Sequence, residues 1–266
     1  INYTFNFGNK QDDIDNHIAI GLYMPMAHEN LDYHRGTQVD TVMSRSTAFL
    51  NTNIMFSHST YMTDRSFSAG YNLSQSAPTM TSMLNIRDDR NPLYITLGNP
   101  YLKNTKTHRF HIYYSDKIGK ALLNANTESS ITENAVASGY TYNKETGVRI
   151  VTPTNVNGNW EISSTFNIYS PLDAYGKWNI KEEISYRHAQ YVDMGGSDKS
   201  MTAIRSVATW NTIRNDISLN WCPTDKMEYE ILGDFTYQHS NSHHGYSSKT
   251  DAFTFLYGIK GKLELP

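Results

Sequence analysis

The chain has 266 residues, a formal net charge of −3, 18% charged residues and 12% aromatic residues, including 19 tyrosines. That length suits one large β domain or two small ones, and the near-balanced charge excludes both the basic footprint of a nucleic-acid binder and a polyacidic tail. Mean hydropathy is −0.57 and no run approaches the roughly 18 apolar residues of a membrane-spanning helix; barrel strands, which place only alternate residues in lipid, stay open as a possibility.

From the start, Ile1–Phe7 alternates, with Tyr3, Phe5 and Phe7 on one parity, and residues 8–13 read as a turn. His17–Met26 alternates again through Ile18, Ile20, Leu22 and Met24, with Pro25 expected near a strand end because proline cannot donate to a ladder. Ala27–Asp40 is polar and reads as a loop. Thr41–Met62 reads as one long strand whose apolar parity slips between Phe49 and Leu50, as a bulge would produce. After a tight turn at Thr63-Asp64, Phe67, Ala69, Tyr71 and Leu73 alternate. A long connection rich in Asn and Pro, about Ser74 to Thr107, leads to Phe110, Ile112 and Tyr114.

Past a turn at residues 116–119, Ala121–Tyr142 reads as one weak polar strand. Trp160, Ile162, Phe166 and Ile168 follow on the next strand, and Pro171–Gly176 turns. Trp178, Ile180, Ile184 and Tyr186 share a parity that Glu182 interrupts. Val192–Ser200 is expected to be a loop, followed by Ile213, Ile217, Leu219 and Trp221 on one face. The lone cysteine, Cys222, excludes an internal disulfide and reads as a strand-end filler before Pro223. Beyond the turn at residues 223–226 come Tyr229, Ile231, Phe235 and Tyr237, a His-rich loop over Gln238–Lys249, and the cleanest alternation, Phe253 to Leu265.

The expected fold is therefore all-β: an antiparallel up-and-down meander of about eleven long strands. Short turns centre near residues 10, 64, 117, 173 and 225 and alternate with longer polar connections, the rhythm of a transmembrane β-barrel. Such strands must close on themselves, since lipid offers no partner to an unpaired N–H. Tyr71, Tyr114, Trp160, Trp178, Trp221, Tyr229 and Tyr237 suit interfacial girdles. A soluble β-sandwich, with strands nearer five or six residues, is the alternative architecture.

The connection SQSAPTMTSMLNIRDDRNPLYITLGNPYLKNTKTHRF carries Ser74, Pro78 and Thr79, then Asp89, Asn91, Pro92, Leu93 and Ile95, then Gly98, Asn99, Pro100, Leu102 and Lys103. In these residues it resembles Bacteroidetes outer-membrane β-barrel proteins of the TonB-dependent receptor type, and PTNVNGNWEISSTFNIYSPL resembles the following loop and strand. The resemblance implies a plug domain and a barrel of about 22 strands, with residues 1–266 a partial barrel domain, roughly its C-terminal half. It also implies a cell outer-membrane location and outer-membrane lipid, the plug and a TonB-type energising complex as partners. The function implied is uptake of a scarce small ligand such as an iron chelate, cofactor or glycan; the alternative is a structural or adhesive surface barrel. Two departures bear on this: no plug or TonB box is seen, and the chain ends KLELP without a terminal aromatic.

No phosphate loop, nucleophile triad or cofactor motif is visible, so neither an enzyme nor a cofactor is expected. Candidate outer-loop ligand contacts are Arg87, Arg90, Tyr94, Tyr101, His239, His243, His244 and Tyr246. The arginines suit charge-assisted grip of an anion and the tyrosines suit stacking. The three histidines have side chains able to hold Zn²⁺ or Cu²⁺. The plainer reading has the Arg87–Arg90 tetrad pairing within itself, the tyrosines packing their loop and the histidines solvated, so no metal site is assigned.

Overall fold

The alternation becomes pairing in the computed structural model, which describes residues 2–9, 14–35, 39–60, 63–197, 203–243 and 247–264. The first elements are β1 (Asn2–Asn9), β2 (Ile14–Tyr23), β3 (Met26–Arg35), β4 (Val39–Ala48), β5 (Asn51–Thr60), β6 (Arg65–Ser76) and a one-turn helix, α1 (Met80–Met83). Then come β7 (Arg87–Asn91), β8 (Tyr94–Leu97), β9 (Thr105–Ile118), β10 (Ala121–Glu133), β11 (Ala135–Tyr142) and β12 (Arg149–Val156). The last five are β13 (Asn159–Pro171), β14 (Trp178–Ser197), β15 (Ala203–Thr224), β16 (Met227–His243) and β17 (Ser247–Leu263).

Eleven of these form one antiparallel sheet in the order β1-β2-β5-β6-β9-β10-β13-β14-β15-β16-β17. Its register joins the apolar parities of neighbouring strands into one face. Ile54 lies opposite Tyr71, Tyr71 opposite Phe110, and Phe166 opposite Ile184. Leu219 lies opposite Ile231, and Ile231 opposite Ile259. The other face carries Asn, Ser, Thr and charged side chains. Since a one-residue slip would move every side chain to the wrong face, the pattern itself fixes the register.

The sheet has no core of its own. Among the described residues the buried apolar side chains are Met80, Leu84, Ile95, Leu102, Val151, Val156, Ala189 and Val192, and of these only Val192, near the far end of β14, shares the parity of the apolar face. On that face Tyr257 is 81% and Ile259 78% exposed, with Phe253, Phe255 and Ile231 also open. An apolar face spread over eleven strands far exceeds the few hundred Å² a soluble monomer exposes; it is stable only against an apolar medium. Aromatic side chains mark its margin near the short turns: Trp178 stacks on Trp221 at 5.4 Å and Trp221 on Tyr229 at 5.5 Å between centroids.

The short turns also step along the sheet. Ser66, next to the start of β6, pairs with Ser115, yet β9 continues to Ile118 before turning. Trp178, the first residue of β14, pairs with Trp221, yet β15 continues to Thr224. This progressive stagger is the shear that tilted barrel strands require.

At the opposite end the long connections fold into structure of their own, which corrects several readings. The described residues of Ala27–Asp40 are strand and not loop: β3 and β4 form a two-stranded ribbon, Met26 opposite Ala48 through Arg35 opposite Val39. The parity slip at Phe49-Leu50 is a change of sheet, not a bulge, because β4 and β5 belong to different sheets. Ala121–Tyr142 is two strands, broken at Asn134, whose φ of 53° turns the chain out of the large sheet. In the loops expected over Val192–Ser200 and Gln238–Lys249 the described residues are strand, since β14 runs to Ser197, β16 to His243 and β17 starts at Ser247, and residues 198–200 and 244–246 lie outside the described residues.

Candidate functional site

The two connections that flank β9 and β10 build a small cap. Its four-stranded sheet runs β11-β12-β8-β7, with β12 and β8 parallel. Local chemistry sets the turns. The Asn91 side-chain oxygen accepts the Leu93 N–H at 3.0 Å, an Asx turn that closes the β7–β8 hairpin. At Gly98 an added Cβ would sit 1.6 Å from the Leu84 carbonyl oxygen, so only glycine lets the end of β8 pass behind α1. Next to it the Asn99 N–H donates to Ser82 O at 2.8 Å, its side-chain amide donates to Pro153 O at 2.9 Å, and its side-chain oxygen accepts from Tyr101 N at 3.0 Å.

The two connections are clamped together by Asn155. Its oxygen accepts the Lys103 N–H at 2.7 Å while its amide donates to Lys103 O and Asn134 O at 3.2 and 2.8 Å. Ile95, 4% exposed, Leu102 and Val151 form the apolar core beneath. Arg149 lies over the Tyr140 ring at 3.9 Å and the Tyr94 ring at 5.8 Å. The β3–β4 ribbon is tied to the cap by Arg45, which donates to Pro78 O at 2.8 Å and also binds Glu29. Between ribbon and cap lies a cleft of about 360 Å³ lined by Tyr33, Ser82, Leu84, Asp88, Thr96 and Ser138 among others.

The candidates named from sequence divide between cap and strand. Arg87, Arg90 and Tyr94 share the β7–β8 hairpin. Both arginines have carboxylate partners inside the tetrad: Arg90 with Asp88 at 2.6 Å and Arg87 with Asp89 at 3.5 Å. The hydrogen bond to Asp88 raises the Arg90 pKa above its ordinary value. Tyr94 lies under Arg149, and Tyr101 is 87% exposed. His239 and His243 lie on β16, not in a loop, and His239 contacts Asp251 at 2.7 Å. Four residues along an extended strand separate these two histidines by roughly 13 Å, too far to share one ion. His244 and Tyr246 lie outside the described residues.

The polar face of the large sheet carries charges that sequence reasoning read only as a wet parity. Arg187 forks onto Glu161 at 2.8 and 3.0 Å, with Tyr191 donating to the same carboxylate at 3.2 Å. Arg214 bridges Asp216 and Asp234, each at 2.7 Å, and Glu183, Asp216 and Asp234 stand side by side on β14, β15 and β16. Farther along the wall, Arg109, His111 and Glu128 line a groove of about 630 Å³. Strand pairing sets these groups beside one another; their separations in sequence carried no such signal.

A family model described as the outer membrane protein beta-barrel family matches residues 54–248, about three-quarters of the chain. The chain belongs to this family. Its eleven-stranded sheet is accordingly barrel wall in the outer membrane, with the apolar face toward lipid and the polar face toward the lumen. The short turns are on the periplasmic side and the cap on the outer side. On β14 the lipid-facing stretch from Trp178 to Tyr186, apolar except for Glu182, which accepts a hydrogen bond from the Asn215 amide, spans roughly 26 Å along the strand, or about 20 Å along the axis of a barrel whose strands tilt by about 40°. In the periplasmic turn after β13, the Asp173 carboxylate accepts the Trp178 N–H at 2.9 Å, and this bond holds its pKa below the ordinary aspartate value. No curated protein matches the chain.

Proposed function

We propose that this chain is the barrel part of a TonB-dependent receptor that takes up a scarce small ligand, such as an iron chelate, a cofactor or a glycan. The observation that carries the reading is the combination of a charged, grooved lumen wall with a cap folded over its outer end. A barrel serving only as a wall needs neither grooves bearing Arg109, His111 and Glu128 nor a cap with its own core and an open cleft. In this reading the cap presents the ligand at the barrel mouth, and the polar wall offers exchangeable hydrogen bonds and charge to a passing solute. A plug contributed by the whole protein would gate the passage and carry the contact to the energising complex.

Uptake by cells producing the whole protein tests this. Deleting the plug's TonB contact should abolish ligand accumulation while surface binding persists. Accumulation unchanged by that deletion would refute energised transport. Surface binding to a partner cell or matrix with no accumulation in either strain would favour a structural or adhesive barrel.

A further inference from the structure

A diagonal pairing recurs on the lumen face, closed at two places and open at a third. Arg187 lies opposite Ser163, and its partner Glu161 is two residues from Ser163 on the same strand. Arg214 lies opposite Thr236, and its partner Asp234 is two residues from Thr236. Diagonal neighbours of this kind stand about 7–8 Å apart, within reach of long side chains, and both of these pairs close. Arg109 lies opposite Ser130, and Glu128 is two residues from Ser130 along the same diagonal. Here the two charges stay apart. Among the described residues neither side chain has a hydrogen-bond or ion-pair partner, and both are exposed.

The space they border is the groove of about 630 Å³, and its shape has a local cause. His111 stands directly opposite Glu128 on one side and Gly70 on the other. Its ring lies over Gly70, so close that an added Cβ there would sit 2.0 Å from the ring Cε1. The bare glycine backbone thus lets the ring lie away from Glu128. Asn72 and Ser130, the residues opposite Arg109 on its two neighbouring strands, set an amide and a hydroxyl on either side of the guanidinium. Donors and positive charge therefore gather at Arg109, and a full negative charge stands at Glu128. A simple anion answers the first and leaves the second, and a neutral sugar brings no charge to either. A carboxylate and an ammonium on one carbon answer both, through charge-assisted hydrogen bonds.

We propose that this groove is a lumen subsite for a zwitterionic solute of the α-amino acid class, with its carboxylate on Arg109, Asn72 and Ser130 and its ammonium on Glu128. The purpose of the subsite rests on the uptake reading; its occupancy does not. The probe is L-alanine titrated into the whole protein in detergent and read by saturation-transfer NMR, with N-acetylalanine and alanine amide as single-charge controls. Saturable binding of alanine is expected. It should be weaker by about tenfold or more for either control and in Arg109→Gln and Glu128→Gln, and unchanged in Lys262→Gln, which alters a cation at the periplasmic end of β17. Gly70→Ala removes no charge yet should weaken binding several-fold, because the displaced His111 ring enters the groove. No saturable alanine binding, equal binding of N-acetylalanine, or binding indifferent to both Arg109→Gln and Glu128→Gln would overturn the proposal. Alanine bound in the expected way by a protein that accumulates no solute in cells would refute uptake and leave the subsite standing.

Discussion

Gly98→Ala is a sharp test of the cap's construction. The new Cβ would meet two backbone atoms, Leu84 O at 1.6 Å and Leu84 C at 2.6 Å, and neither can rotate away as a side chain would. Relieving the contact requires roughly 2 Å of separation to reach ordinary packing distance. The Asn99 N–H to Ser82 O bond, 2.8 Å long and one residue away, spans the same gap and would break. Overpacking of this kind costs about 1–3 kcal/mol, and a lost backbone hydrogen bond adds about 1 kcal/mol. A local cost of roughly 2–4 kcal/mol corresponds to about 30- to 900-fold more frequent opening. Hydrogen exchange read by mass spectrometry resolves this: peptides covering 80–104 and 149–156 should lose protection by that factor, and those covering β13 to β17 should not. Unchanged exchange in the cap, or an equal loss throughout the large sheet, would refute the account of Gly98.

Asn155→Ala removes all three clamp bonds and leaves the Lys103 N–H without its side-chain acceptor. A cost of about 1–3 kcal/mol is expected, read as faster tryptic cleavage after Lys103. Phe166→Arg places a cation on the lipid face in mid-strand and should destabilise the folded barrel by about 2–4 kcal/mol in urea titrations from vesicles, whereas the adjacent lumen-facing Thr165→Arg should cost far less. Asp173 has a lowered folded pKa, so its stabilising effect is complete above the ordinary aspartate range and is lost as pH falls through the folded value. Stability measured against pH should therefore fall less steeply below about pH 4 in Asp173→Asn than in the parent, near the unfolded aspartate pKa.

The parts of the fold legible in the sequence are those that lipid contact disciplines. Ile213, Ile217, Leu219 and Trp221 alternate with Thr212, Arg214, Asp216 and Ser218 because one face must be apolar and the other wet. That constraint delivered the eleven wall strands and the short turns near residues 64, 117, 173 and 225, while the turn expected near residue 10 lies outside the described residues. It is absent from the cap and the ribbon. The ribbon alternates His28, Asn30, Asp32 and His34 with Glu29, Leu31, Tyr33 and Arg35, and with polar groups in both sets hydropathy does not betray a strand. The break at Asn134 hid for a similar reason, since a single residue at positive φ leaves no compositional trace when the flanking strands are both polar.

Asn91, Gly98, Asn99 and Leu102 were legible in the sequence as carriers of the family resemblance; in the structure Asn91 and Asn99 shape turns, Gly98 allows a close backbone approach and Leu102 is buried in the cap. The lumen ion pairs and the Arg109–Glu128 groove were not readable. Their members meet through register, and register between distant segments emerges only once the sheet is assembled.

The central claim is that one parity of the wall faces lipid and the other faces water. Spin labels placed singly at Thr212 through Leu219 on β15, in a Cys222→Ser background, test it directly in reconstituted vesicles. Collision with lipid-soluble oxygen should peak at residues 213, 215, 217 and 219, and collision with a water-soluble paramagnetic complex at 212, 214, 216 and 218. Equal water accessibility at both parities, or no period of two, would contradict the account.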